Sequence, residues 1–264
     1  MSVWKKEEVL VIVKAYPTPS KKYGETVCTA GITKEGKWIR LYPVQFRDLP
    51  NDKQYKKFNW IEANVTPAQE TLRRWESHRI DEETIKITGF LEAGRKWPER
   101  EKYFIPMVSS SLEKLMTLRD SRKASLGAFK PKKVIDFRIE KGEGSWSEKQ
   151  LAALEQQTIF GQSKTTLEKI PYTFHYKFLC DDSSCNGHDL TIIDWELIQS
   201  YRNFKKEYGD EETTLEMVKK KWFDYFFIER ESYFVVGTDS RFNRFMIIGV
   251  VSPRRKEAQM SLGI

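Results

Sequence analysis

The stretch Glu8-Val-Leu-Val-Ile-Val-Lys-Ala-Tyr16 predicts a β-strand near the start of the chain. It is rich in β-branched residues, and Pro17 and Pro19 follow it closely, which ends a strand. The apolar run inside it, residues 9–13, has the length of a strand and is too short for a signal peptide or a membrane helix. We therefore expect a soluble, cytoplasmic protein that begins with β-structure and has no membrane partner.

A hairpin follows this first strand. Residues 26–33 and 37–42 are strand candidates, and the turn between them contains a glycine, as hairpin turns commonly do. Side chains alternate between the two faces of a strand, so one face of the second strand is aliphatic. The other face carries two aromatic residues around an arginine, namely Trp38, Arg40 and Tyr42.

The remaining pattern predicts an α+β fold. Further strand candidates bring the first half to five or six short strands, which is typical of a small barrel or a strongly curved sheet. The second half alternates strands with two helices and ends in a hairpin. Gly142-Glu-Gly144 is the candidate boundary. We therefore predict a strand-rich domain over residues 1–141 and a smaller α+β domain over residues 142–264.

The charge is distributed unevenly between these halves. The net charge of the 264 residues is +7, with an isoelectric point of about 9.1. Residues 1–140 contain 28 Lys and Arg against 19 Asp and Glu, a balance of +9. The rest contain 17 against 19, a balance of −2. This asymmetry favours a polyanion partner for the first half, and nucleic acid is the leading candidate.

Aromatic side chains lie between the cations of the first half. This mixture suits contacts in which Lys and Arg bind phosphates and rings stack on bases. The alternative is that the rings fill a small barrel while the cations cover its surface. Both RNA and DNA stay open as ligands. The predicted nucleic-acid contacts are Lys21, Lys22, Tyr23, Arg40, Arg47, Arg73, Arg74, Trp75 and Arg79.

The second half contains a cluster of rare, versatile side chains. The chain has three cysteines and three histidines, and two of each fall within residues 175–188. Cys180, Cys185 and His188 have spacings that allow a zinc knuckle. His175 is a doubtful fourth ligand, because residues five apart in a regular strand point to opposite faces. Asp189 or Asp194 are alternative fourth ligands.

Two enzymatic interpretations compete with a structural metal site. A Cys185 thiolate beside His188 would be a nucleophilic or redox pair. Alternatively, Asp194, Glu196 and Asp224 could hold a divalent ion in a nuclease site. Asp194 is also well placed to cap a helix, which needs no catalytic role.

Two parts of the chain resemble an uncharacterised family of prokaryotic proteins. One is Lys14-Ala-Tyr-Pro-Thr-Pro-Ser-Lys-Lys-Tyr-Gly-Glu-Thr-Val-Cys28 leading into Trp38-Ile-Arg-Leu-Tyr-Pro43. The other is Cys180-x4-Cys-x-Gly-His188 leading into Asp194-Trp-Glu196. This resemblance implies no particular activity. In strand order alone, the first half is also similar to the small PUA-type barrels that bind RNA or modified bases.

The leading prediction is thus a nucleic-acid-binding protein with a basic, barrel-like first half. In this interpretation the second half carries the Cys/His turn as a structural or a metal-binding element, with zinc as the candidate metal. The competing predictions are a metal-dependent enzyme acting on nucleic acid and a scaffold subunit without catalytic activity.

Overall fold

A computed structural model describes residues 3–68, 74–92, 97–159, 167–239 and 242–254. Strands dominate the first half of the chain, and most of the described helices lie in the second half. The strands are β1 (Lys5–Lys14), β2 (Thr18–Ser20), β3 (Gly24–Thr33), β4 (Trp38–Val44), β5 (Asn59–Pro67), β6 (Ser77–Ile80), β7 (Lys86–Phe90), β8 (Val108–Ser109), β9 (Leu126–Phe129), β10 (Lys133–Lys141), β11 (Tyr172–Leu179), β12 (His188–Ile192), β13 (Tyr233–Thr238) and β14 (Phe245–Val251). The helices are α1 (Trp97–Phe104), α2 (Leu112–Asp120), α3 (Glu148–Ile159), α4 (Trp195–Tyr208), α5 (Glu211–Lys219) and a π-helical segment, Lys220–Glu229.

The first half forms a closed five-stranded barrel. Strands β1, β3, β4, β6 and β5 are neighbours in that order, and β1 also pairs with β5 to close the ring. Most of these pairs are antiparallel, whereas β4 and β6 run parallel, with Arg40 opposite Ser77. The shorter strands β2 and β7 extend the barrel by pairing with β3 and β5. The expectation of an α+β protein with a strand-rich, barrel-like first half is therefore confirmed.

Strand β1 has two buried faces, which explains its uninterrupted apolar run. Val9 and Val11 belong to the core inside the barrel. Leu10 and Ile12 belong to a second core, between the barrel and the other sheet. All four are at most 1% exposed. A strand that is buried on both sides shows no polar alternation, and burying each such side chain contributes about 1.5–3 kcal/mol.

The second sheet lies between the barrel and the helices. Its strand order is β10-β11-β12-β14-β13-β9-β8. Val235 of β13 and Ile248 of β14 pack towards the barrel. The opposite face, which includes Phe174 and Tyr176 of β11, packs with Leu197 of α4 and other helical residues. The molecule is therefore layered, with the barrel, the sheet and the helices in succession.

The first strand of the second sheet begins at Val108, before the domain boundary that the sequence predicts between residues 141 and 142. Strands β8, β9 and β10 all precede that boundary and belong to the second sheet. After it, α3 packs against β2 and β3 of the barrel. The Gly142–Gly144 stretch is the turn between β10 and α3, and a glycine-rich turn has the same composition as a linker.

Helix α4 begins and ends as its sequence predicts. The side chain of Asp194 caps it by accepting a hydrogen bond from the Glu196 amide, and Gly209, with φ of 81°, follows its last turn. Helix α5 is capped by Asp210 and continues directly into the π-helical segment. Within the described ranges, no helix combines the length and apolar character needed to cross a bilayer.

Candidate metal centre

Four side chains converge at one end of the second sheet. The potential ligand atoms of Glu113, Cys180, Cys185 and His188 all lie within 4.8 Å of one another. Within the group, His188 Nε2 lies 2.7 Å from Glu113 Oε1. The structure thus brings together the three ligands expected from the sequence, and helix α2 supplies a fourth.

The loop between β11 and β12 places the two sulfurs. Asp182 holds the loop by accepting hydrogen bonds at Oδ1 from the amide (3.0 Å) and hydroxyl (2.7 Å) of Ser184. The Asp182 carbonyl accepts a further bond from the Cys185 amide, at 3.1 Å. The Cys180 amide then donates to Cys185 Sγ at 3.2 Å. This bond fixes the sulfur of Cys185 beside the end of strand β11.

Ser111 joins helix α2 to this loop. Its hydroxyl oxygen caps the helix by accepting a bond from the Lys114 amide at 3.0 Å. The same hydroxyl donates to Asp182 Oδ2 at 2.9 Å. Glu113 lies in the first turn of the helix, and its carboxylate lies close to both cysteine sulfurs. On the other side, the ring of His188 packs on Phe178, with ring centres 5.2 Å apart.

Burial and hydrogen bonding shift the pKa values of two groups in the cluster in opposite directions. Burial raises the pKa of the Cys180 thiol above its ordinary value. Burial would also raise the pKa of Glu113, but hydrogen bonds from Cys185 and His188 outweigh it and hold that pKa below its usual range. The second oxygen of Glu113, Oε2, is buried and has no hydrogen-bond partner in the described structure. A buried acceptor without a donor requires an explanation, and a bound cation provides one.

The four donors form a set that could hold one metal ion. Two sulfurs, one imidazole nitrogen and one carboxylate oxygen are enough for four-coordinate binding. Because all four donors come from the protein, no position is left for a substrate or a reactive water. Such a closed set is typical of structural rather than catalytic sites.

His175 lies outside the cluster. Its Nε2 is 3.6 Å from Glu140 Oε2, and its Nδ1 is 3.5 Å from Asp189 Oδ1. Asp189 also pairs with Arg138 at 3.0 Å. The doubt about His175 came from strand parity, and it agrees with this placement. The fourth candidate ligand is Glu113 rather than Asp189 or Asp194.

The carboxylates Asp194, Glu196 and Asp224 do not form a comparable group. Among the residues that the structure describes, the Glu113 cluster is the one set of potential metal ligands that converges. Asp194 is 2% exposed and accepts bonds from the amides of Glu196 (2.7 Å) and Val250 (3.1 Å). Burial raises its pKa to about 7. Asp224 lies half-buried in the π-helical segment.

Asp194 and Glu196 instead belong to a junction with the barrel. Lys57 Nζ bonds both Glu196 Oε2, at 3.0 Å, and the carbonyl of Val250, at 2.6 Å. Lys14 Nζ lies 5.0 Å from the centre of the Trp195 ring, at the first residue of α4. Burial lowers the pKa of Lys14 to about 8. These contacts tie the barrel to the start of α4 and supply a structural role for the carboxylates.

Two of the predicted nucleic-acid contacts are engaged within the protein. Arg40 is 2% exposed, and its guanidinium donates to the hydroxyls of Ser77 and Ser125, both at 3.1 Å. It therefore links the barrel to the second sheet instead of presenting its charge to solvent. Arg47 pairs at 2.9 Å with the buried carboxylate of Glu25.

The other predicted contacts lie nearer the surface. Lys21 and Lys22 are exposed in the turn between β2 and β3, and Tyr23 beside them is half-buried. Arg79 of β6 is exposed as well. The remaining members are Arg74 and Trp75, which are half-buried, and Arg73, which lies outside the described residues.

Glu113 is the candidate ligand that the sequence does not reveal. It precedes the Cys/His turn by several elements, and an acidic residue in the first turn of a helix is ordinary. Its only local signal is the capping serine two residues earlier, which predicts the helix but not a ligand.

Comparisons with known proteins agree with a division into two parts. A family model described as a domain of unknown function, DUF8758, matches residues 5–106. A second, described as a domain of unknown function, DUF8757, matches residues 108–263, so the two meet where the second sheet begins. A search of the curated proteins finds no match. Both descriptions fit the expected uncharacterised family, and neither refers to PUA-type barrels. The second match covers more than half of the chain, which therefore belongs to the DUF8757 family.

Proposed function

We propose that this protein binds nucleic acid through the barrel and that a structural zinc ion stabilises the loop between β11 and β12. The observation that carries the first part is the exposed turn between β2 and β3. Lys21 and Lys22 extend into solvent there, and Lys22 Nζ lies 5.2 Å from the centre of the Tyr23 ring. Cations beside an aromatic ring offer a phosphate contact and a stacking surface together.

A second ring and cation lie on the seam between β4 and β6. Leu41 and His78 are paired in the parallel register, so Tyr42 and Arg79 come one step further along the same two strands. Tyr42 is 38% exposed, and Arg79 is exposed. This seam supports an extended contact surface on the barrel, with rings for bases and cations for the backbone.

Zinc is the ion that best suits the Glu113, Cys180, Cys185 and His188 donors. Thiolates exclude the hard ions Mg²⁺ and Ca²⁺, which take oxygen ligands. Zn²⁺ accepts sulfur, nitrogen and oxygen in tetrahedral sites. When bound, it would fix the loop between β11 and β12 against helix α2. Its removal with a chelator should therefore lower the melting temperature of the protein, and an unchanged melting temperature would count against the zinc site.

The binding proposal is tested by titrating fluorescent oligonucleotides at several salt concentrations. Single-stranded RNA, single-stranded DNA and duplex DNA serve as separate ligands. Affinity should fall steeply between roughly 50 and 200 mM salt, and Lys21→Ala with Lys22→Ala should reduce the slope of log K against log salt by about 0.7 to 0.9 per lost phosphate contact. The matched control, Lys86→Ala with Lys123→Ala, removes two other exposed lysines and should leave the slope unchanged.

The same titration separates the competing functions. No binding to any of the three ligands would refute the proposal and favour a scaffold role. Cleavage of the ligand in the presence of Mg²⁺ or Mn²⁺ would favour a nuclease. The Asp194 carboxylate already accepts hydrogen bonds from two backbone amides, which makes it a poor candidate for the metal ligand of such an enzyme.

A further inference from the structure

A basic cleft lies in the second half of the molecule, outside the surface considered so far. Its volume is about 440 Å³. Four of its nine lining residues are cations, and one is a carboxylate, Glu231. The cations are Lys130, Lys132, Lys133 and Arg230. The cleft is therefore strongly positive, and three of its four cations come from the basic first 140 residues.

The neighbouring acids neutralise this charge only in part. Lys130 pairs with Glu231 at 2.6 Å. Lys132 pairs with Asp181 at 3.0 Å, but their side chains are 63% and 76% exposed, and such surface pairs are weak. Lys133 is exposed and forms no ion pair within the described residues. At least two lysines can thus turn to an incoming anion at little energetic cost.

The π-helical segment contributes one aromatic ring to the cleft and a second, Tyr225, beside it. Arg230 follows the last residue of the segment, and its backbone is extended. The Arg230 guanidinium lies 5.0 Å from the centre of the Tyr225 ring. Tyr225 is 39% exposed, and Phe227 lines the cleft itself.

We propose that this cleft binds a single strand of nucleic acid, with phosphates on Lys132 and Lys133 and a base stacked on Tyr225. The inference rests on the proposed nucleic-acid function and gives it a second contact in the other half of the protein. Cations alone would fit any anion. An exposed ring supported by an arginine favours a ligand that has bases as well as phosphates.

The test uses the full chain and a fluorescent single-stranded oligonucleotide, together with an abasic strand of the same length. Lys132→Ala with Lys133→Ala should reduce the salt slope by about 1.4, or about 0.7 for each phosphate contact. Tyr225→Ala should weaken binding of the normal strand by about tenfold, within the range for one stacked base, and should leave the abasic strand unaffected. The control is again Lys86→Ala with Lys123→Ala, for which no change is expected.

The outcomes separate the cleft from the barrel surface. If the wild-type protein binds no strand, both proposals fail. If Lys21→Ala with Lys22→Ala weakens binding, while the Lys132 and Lys133 variant behaves like the control, the cleft inference alone is overturned. Equal loss of normal and abasic strands in Tyr225→Ala would overturn the stacking assignment, and displacement of the strand from the cleft by an acidic peptide at equal concentration would overturn the ligand class.

Discussion

Gly249 lies where β14 crosses β1, and replacing it with alanine should disrupt the contact between the two halves. A Cβ at this position would lie 2.3 Å from Val13 Cγ1 and 2.8 Å from Val13 Cβ. It would also lie 3.0 Å from Asp194 Oδ2. Carbon atoms in favourable contact are about 3.5–4.0 Å apart, so the added methyl group overlaps Val13 Cγ1 by more than about 1 Å on this scale.

Neither neighbour can move away easily. Val13 is 2% exposed and lies in a barrel strand with partners on both sides, and the Asp194 carboxylate is held by two amides. Overpacking a well-filled core costs about 1–3 kcal/mol. Because this clash involves the Cβ of Val13 as well as its flexible end, we expect Gly249→Ala to reduce the free energy of unfolding by about 3 kcal/mol.

Urea denaturation with linear extrapolation measures this change. Gly89→Ala is the matched control, because its added Cβ would meet its nearest neighbour, Trp60 Cδ1, at 3.8 Å. Its effect should stay within about 0.5 kcal/mol. Combining Val13→Ala with Gly249→Ala should destabilise the protein less than the sum of the single changes, as expected for residues in contact. A Gly249→Ala variant as stable as the control would refute the close approach of β1 and β14.

Two further predictions concern Asp194 and Ser111. Burial raises the pKa of Asp194 to about 7. The folded protein therefore keeps a proton on this carboxyl that the unfolded chain releases near pH 4. As the pH rises from about 4 to about 7, the wild type should lose stability relative to Asp194→Asn. Urea titrations across this range measure the effect, and parallel curves for the two proteins would contradict it. Ser111→Ala removes both the α2 cap and the bond to Asp182, so stability should fall by about 1 kcal/mol and metal affinity by about 10- to 100-fold. Competition with a chromophoric chelator measures the affinity, and an unchanged value would rule out a positioning role for Ser111.

The local parts of this fold were predictable from local sequence. The two-residue period of Phe174, Tyr176 and Phe178 indicates a strand, and these rings lie buried on one face of β11. Asp194 and Gly209 mark the ends of α4 because capping depends on the adjacent backbone alone. The clustering of Cys180, Cys185 and His188 was visible for the same reason.

Features that depend on packing between distant elements were not predictable. Alternation along β4 predicts that Arg40 lies on the outer face of the barrel. That this face is buried depends on the packing of the second sheet against it, which local sequence does not reveal. The role of Glu113 depends in the same way on where α2 meets the β11–β12 loop. The sequence does not indicate which residues lie next to the lysines at positions 130–133. The aromatic residues near them come from positions 225–227, much further along the chain.

Metal analysis of the purified protein tests the central structural claim most directly. By inductively coupled plasma mass spectrometry, the wild type and His175→Ala should each contain about one equivalent of zinc, as a single closed site requires. Cys185→Ser and Glu113→Ala should contain much less, because each removes one of the four donors. A metal-free wild type, or variants that retain the full metal content, would contradict the four-ligand site.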